Sequence, residues 1–107
     1  MEAFARVAAE ALLNGIPPLV SNRGGLPEAC DEAGFVLPLA EDITPAMREP
    51  VAREAVQPWL DTIIRLASEA SFYEHECGKA LEAGKRFAPA TVAPRYVEFF
   101  DSIVNRR

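Results

Sequence analysis

Near the start of the chain, apolar residues recur at Phe4, Val7, Ala8, Ala11 and Leu12. That is the i, i+3, i+4, i+7, i+8 spacing that lays a stripe down one side of a helix. The pattern predicts a helix over about Ala5 to Asn14. Gly15 stops it, and Pro17 and Pro18 forbid its continuation. Leu19-Val20 then opens a short apolar run bounded by Arg23-Gly24-Gly25, which predicts a buried strand near Leu19 to Ser21 ending in a tight turn. A second short strand is expected within Gly34-Phe35-Val36-Leu37-Pro38-Leu39, centred on Phe35 to Leu37, with Pro38 ending it or placing it at an edge. From Ala40 to Arg53 the chain is polar and interrupted by Pro45 and Pro50, the mark of an exposed loop.

The remainder carries a helical period, and three helices are expected after Val56. Pro58 suits a first turn, and Trp59, Leu60, Ile63, Ile64, Leu66 and Ala67 form a broad apolar stripe behind it. Ser71-Phe72-Tyr73-Glu74 fits a capping box and predicts a fresh helix start, with Tyr73, Cys77, Ala80 and Leu81 turned inward and fraying near Phe87-Ala88-Pro89. Thr91 is placed to cap the last helix, with Pro94 in its first turn. Val92, Tyr96, Phe99, Phe100 and Ile103 then make one apolar face.

Composition narrows the partners. A chain of 107 residues makes one domain at most, and a net charge of -5 leaves no basic stripe for nucleic acid. Met1 is followed by Glu2, with neither a basic segment nor a long apolar core, so no signal peptide and no transmembrane segment are expected. Cys30 and Cys77 stand far apart without metal-type spacing, which fits reduced thiols in a cytoplasmic chain, each a small buried apolar residue. The one histidine lies in Glu74-His75-Glu76. On a helix these neighbours point in different directions, and a solvated face is the expectation.

Two carboxylates frame the first helix, Glu2 at its entry and Glu10 within it. Were both helical, they would lie about 12 Å apart along the axis, too far for a close acid/base pair. They flank instead the free N–H groups at the helix start, Ala3 to Arg6, where unpaired donors and the positive end of the dipole favour a phosphate. The turn Asn22-Arg23-Gly24-Gly25-Leu26-Pro27-Glu28 has two readings. It follows a strand, where ligands gather in open α/β sheets, and Arg23, Gly24 and Gly25 are then further candidates for an anionic ligand. Equally, it is a tight turn opening the next helix, with Pro27 in the first turn and Glu28 complementing the dipole.

The ordered series Glu2-x7-Glu10, Glu10-Ala11-x3-Gly15-x-Pro17, an apolar strand, and Gly24-Gly25-x-Pro27-Glu28 resembles the C-terminal domain of retaining glycosyltransferases of the GT-B fold, most closely glycosyltransferase family 4. The motif is confined to Glu2 to Glu28; the similarity runs on through Trp59-Leu60 and the helices after it. The resemblance implies an α/β fold, the C-terminal half of a Rossmann-like domain with short parallel strands and a helix-rich C-terminus. Residues 1–107 would be one partial nucleotide-sugar-binding domain.

The activity implied by the resemblance is transfer of a sugar from a nucleotide diphosphate sugar to an acceptor hydroxyl with retention, without a cofactor or bound metal. Glu2 would contact the transferred sugar and is the catalytic candidate. The amides of Phe4, Ala5 and Arg6 would hold the donor diphosphate, and Glu10 the ribose hydroxyls. Ala5 departs from the family, which usually has Gly after the Phe. The carbohydrate or lipid-linked acceptor would be met through a missing N-terminal domain. With only two short strands readable, the chain is expected to be roughly the second half of a donor domain, from a truncated gene, a split protein or an excised piece, and inactive alone. Two other readings stay open: a non-catalytic nucleotide-binding or interaction module, and a degenerate gene fragment.

Overall fold

The computed structural model describes residues 6–105. Helix α1 (Arg6–Leu13) leads into strand β1 (Leu19–Ser21), the short helix α2 (Leu26–Cys30) and strand β2 (Phe35–Leu37). Three long helices follow, α3 (Arg53–Ser68), α4 (Ala70–Gly84) and α5 (Pro89–Val104), with a 3-10 turn at Lys85–Phe87 between the last two. The fold is mixed α/β and rich in helix.

The two strands pair in parallel, Leu19 with Phe35, Val20 with Val36 and Ser21 with Leu37. The ladder is extended by the Phe35 N–H donating to Pro18 O at 2.8 Å and the Asn22 N–H donating to Leu37 O at 3.1 Å. A parallel pair needs a crossover, and α2 supplies it. Both strands fall where the apolar runs put them.

Helix α1 ends as Gly15 requires. The Ile16 N–H donates to Ala11 O at 2.9 Å and the Gly15 N–H to Leu12 O at 3.0 Å, the paired bonds of a Schellman stop, with Gly15 at φ 68°. Gly34 is also left-handed, at φ 72°, and a Cβ there would stand 2.5 Å from Pro18 O. Only glycine fits, because this turn lays the entry of β2 directly on the backbone entering β1.

The core is made mostly of small residues, with Leu12 its largest fully buried side chain. Ala8, Ala29 and Cys30 pack with Val20 and Leu26, joining α1, β1 and α2. Leu12, Ala33 and Ala80 form a second cluster with Ala83 and Phe87, which brings α4 onto α1. The α4 face is close enough that a Cβ on Gly84 would lie 2.5 Å from Leu12 O. Large apolar residues lie outside: Val7, placed by its spacing on the buried stripe, is 79% exposed, while Ala9 is buried.

The radius of gyration is 17.7 Å, against about 13 Å for a compact domain of this length. The molecule is a slab of 59 × 38 × 15 Å. So thin a slab holds no more than about two layers of elements, so many of them have one face without protein over it. Hence Leu60, Ile63 and Ile64 of α3 are about half exposed, although they share one stripe.

Several helix starts differ from expectation. α3 begins at Arg53, so the loop is shorter than Ala40 to Arg53 and Pro58 is an interior residue. Arg53 to Gln57 are ordinary helix formers, and they extend the helix ahead of Pro58 despite the backbone bond it removes and the clash of its ring with the carbonyl four residues back. α5 begins at Pro89, with Ala88 rather than Thr91 at the cap and Pro94 in the interior. The start is set by Pro89, whose missing N–H costs nothing at the first helical position. α4 begins at Ala70, with the extended residue Glu69 as N-cap and Ser71 already inside the first turn. A single residue separates α3 from α4, so the corner at Glu69 decides both ends.

Candidate functional site

Of the residues expected to bind a donor, Glu2, Phe4 and Ala5 lie outside the described residues. Arg6 and Glu10 fall on α1, one turn apart, and both are exposed. The Arg6 Nε lies 3.9 Å from Glu10 Oε1. This is a loose surface pair of a kind that stabilises little. The Glu10 carboxylate faces solvent, free to accept hydrogen bonds from a ligand, while its backbone carbonyl accepts one from Asn14 Nδ2 at 2.8 Å.

The turn after β1 is anchored across to the segment after β2. Arg23 donates from both terminal guanidinium nitrogens, to the carbonyls of Ile43 and Ala40. Asn22 Oδ1 accepts the Leu39 N–H at 3.2 Å, and Ser21 Oγ accepts the Arg23 N–H at 3.4 Å. Arg23 thus ties the loop 40–43 to the end of the sheet. Gly24 takes a positive φ of 60° and Gly25 is the N-cap of α2, with Pro27 in its first turn and Glu28 beside it. Both readings of this turn meet here: it opens a helix, and it lies at the carboxyl end of β1. Ala8 of α1 and Leu26 of α2 belong to one cluster with Val20, so the first described turn of α1 and the Gly24-Gly25 turn sit at the same end of the layer.

A second polar assembly joins segments that the sequence holds far apart. Arg86 donates to the carbonyl of Glu28 at 2.6 Å and to that of Ala29, satisfying the last carbonyls of α2. Its guanidinium also lies 4.4 Å from the centre of the Phe87 ring. Beside it is a hollow of about 380 Å³ where Lys79 and Arg86 meet Asp31, Glu32 and Glu82. Neither Arg6 nor Glu10 lines it.

Glu76 is the residue most at odds with expectation. Instead of a solvated face, its residue is 5% exposed, and Oε2 has no hydrogen-bond partner among the described residues. Lys79 Nζ stands 3.7 Å from it. The inward face of α4 passes through Glu76, Ala80 and Gly84, whereas Tyr73 and Leu81 are exposed. His75 and Glu74 do face solvent. Sequence spacing found the stripe but set it one position off, because Tyr73, Cys77 and Leu81 outweigh Glu76 in hydropathy while the small residues Ala80 and Gly84 are what close packing on α1 needs.

Both thiols are free. Cys30 is fully buried, and burial pushes its pKa up, opposed by the charge of Arg86. Cys77 is half-buried, and its hydrogen bond with the Tyr73 hydroxyl raises the phenol's pKa. No group of three or more His, Cys, Asp and Glu suited to a metal ion occurs among the described residues, and no helix among them is long and apolar enough to cross a membrane.

The chain matches no protein-family model, no curated protein and no solved structure.

Proposed function

We propose that the chain supplies the donor-binding part of a retaining glycosyltransferase of the GT-B, family 4 type. The observation that carries this reading is the placement of Glu10. Its carboxylate is exposed on the helix that leads into β1, and β1 joins β2 in parallel through α2, an α–β–α–β alternation of the kind found in α/β layers. Ligands of such layers collect at the carboxyl ends of the strands, the end where the Gly24-Gly25 turn lies.

In this reading the amides of Phe4, Ala5 and Arg6 hold the donor diphosphate at the start of α1. Glu10, one turn beyond Arg6, accepts hydrogen bonds from the ribose hydroxyls, and Glu2 contacts the transferred sugar. The amides offset the charge that develops on the leaving diphosphate as the sugar departs with retention. Arg23 positions the turn rather than the phosphate, since its guanidinium is engaged by Ile43 and Ala40. Acceptor recognition belongs to an N-terminal domain, and the isolated chain does not turn over.

The test is a titration of the isotope-labelled chain with uridine, guanosine and adenosine diphosphates, followed by amide chemical shifts. Millimolar binding with shifts concentrated at Arg6 to Glu10 and Gly24 to Gly25 is expected. No shift with any of the three at millimolar concentration overturns the assignment.

The reading as a non-catalytic interaction module draws on a different observation, the half-exposed apolar stripes of α3 and α5.

A further inference from the structure

The apolar face of α5 has no counterpart among the described residues. Tyr96 is 60% exposed, Phe99 and Phe100 58% each, and Ile103 44%. The helix meets the body chiefly through the 3-10 turn that precedes it. Val92, Tyr96, Phe99 and Ile103 follow one another at spacings of four, three and four, the seam positions of a heptad. A shallow hollow of about 370 Å³ lies along the seam, lined by Val92, Arg95, Tyr96 and Phe99.

We propose that this face is the interface of a homodimer in which α5 packs antiparallel on α5 of a second copy. The spacing four-three-four reads the same in reverse, so the seam is its own complement. Val92 lies opposite Ile103 of the second copy and Tyr96 opposite its Phe99, about a two-fold axis between positions 97 and 98. Such an arrangement is isologous and closed. Charge does not oppose a second copy at the seam itself. At ~100° per residue, Glu98 and Asp101 fall on the far side of α5, and only Arg95 reaches the seam's edge. Two chains of net charge -5 therefore bring no carboxylates of α5 together.

The area is sufficient for a weak dimer. With side chains of roughly 150–250 Å² each, the three aromatics at nearly three-fifths exposure, together with Ile103 and Val92, offer roughly 400–600 Å² per copy. The pair would bury about 800–1,200 Å², the lower edge of specific interfaces.

Sedimentation velocity of the full chain, from low micromolar to several hundred micromolar, tests this. A monomer–dimer transition is expected, abolished by Phe99→Asp and unchanged by Glu98→Arg. Because Phe99 is exposed, the Phe99→Asp chain should keep its circular dichroism, and its Tm at concentrations where the parent is monomeric. Orientation is read from cysteine pairs in a Cys77→Ser background. Positions 92 and 103 are eleven residues apart, about 16 Å along the helix, well beyond the ~7 Å between Cα atoms that a disulfide spans. An antiparallel pair therefore cross-links a mixture of Val92→Cys and Ile103→Cys chains but neither alone. A chain that stays monomeric throughout, or a Phe99→Asp chain that associates like its parent, overturns the proposal. Cross-linking of Val92→Cys to itself overturns the antiparallel arrangement.

Discussion

A methyl group on Gly84 would stand 2.5 Å from the carbonyl oxygen of Leu12 and 2.6 Å from its carbonyl carbon. Both are backbone atoms of α1, so no side chain can rotate away. Gly84→Ala should lower stability by about 1–3 kcal/mol through overpacking, despite alanine's better helix propensity. A methyl group on Gly78, in the same helix, would meet nothing within 4 Å, and Gly78→Ala should raise stability by up to about 1 kcal/mol. Urea unfolding of the two variants checks the opposite signs.

Glu76 holds a buried oxygen with no hydrogen-bond donor among the described residues, and the nearby Lys79 is part-exposed at 3.7 Å. Glu76→Met keeps the length of the side chain and removes the orphaned acceptor. It should stabilise the fold by about 1–3 kcal/mol, since Lys79 can return to water. A fall in the urea midpoint would show that the carboxylate is held by more than Lys79.

The alkaline limb of stability should carry the signature of Cys30. Burial raises its folded pKa above the ordinary thiol value of 9.0. The folded state then holds the proton more tightly than the unfolded state. This contribution is whole below pH 9 and is lost as pH rises through the folded value. Tm measured between neutral pH and pH 10.5 should fall more steeply above pH 9 in the parent than in Cys30→Ala, whatever the offset between them at neutral pH.

Under the glycosyltransferase proposal, Glu10 works in donor binding and not in the chemical step. Charge-assisted contacts to ribose hydroxyls are worth roughly 1.5–3 kcal/mol. In the complete enzyme, Glu10→Gln should raise the donor KM about tenfold or more while kcat holds, the pattern of lost uniform binding. Glu2→Gln should lower kcat more than it raises KM. Because Glu10 is exposed and its ion pair with Arg6 is loose, Glu10→Gln should leave Tm within experimental error. A normal donor KM with collapsed kcat would reverse the roles.

The sequence by itself determined the elements that local chemistry dictates. Gly15 with its prolines ends α1, the apolar runs at Leu19 and Phe35 become the paired strands, and the corner near residue 69 divides α3 from α4. These follow from backbone freedom and short-range pattern, which no distant contact has to supply. What lies under each helix was decided by tertiary structure. A period of 3.6 names a stripe but not its cover, and so the larger apolar residues of α3 and α5 stand half exposed while Leu12, Cys30, Ala8, Ala29, Ala33 and Ala80 make the core. Only the approach of α4 to α1 buries Glu76, and only the folding of loop 40–43 over the sheet end engages Arg23. Arg86 reaches the carbonyls of Glu28 and Ala29 across more than fifty residues of sequence. Such partners are chosen by packing between segments whose separation along the chain carries no information about their distance in space.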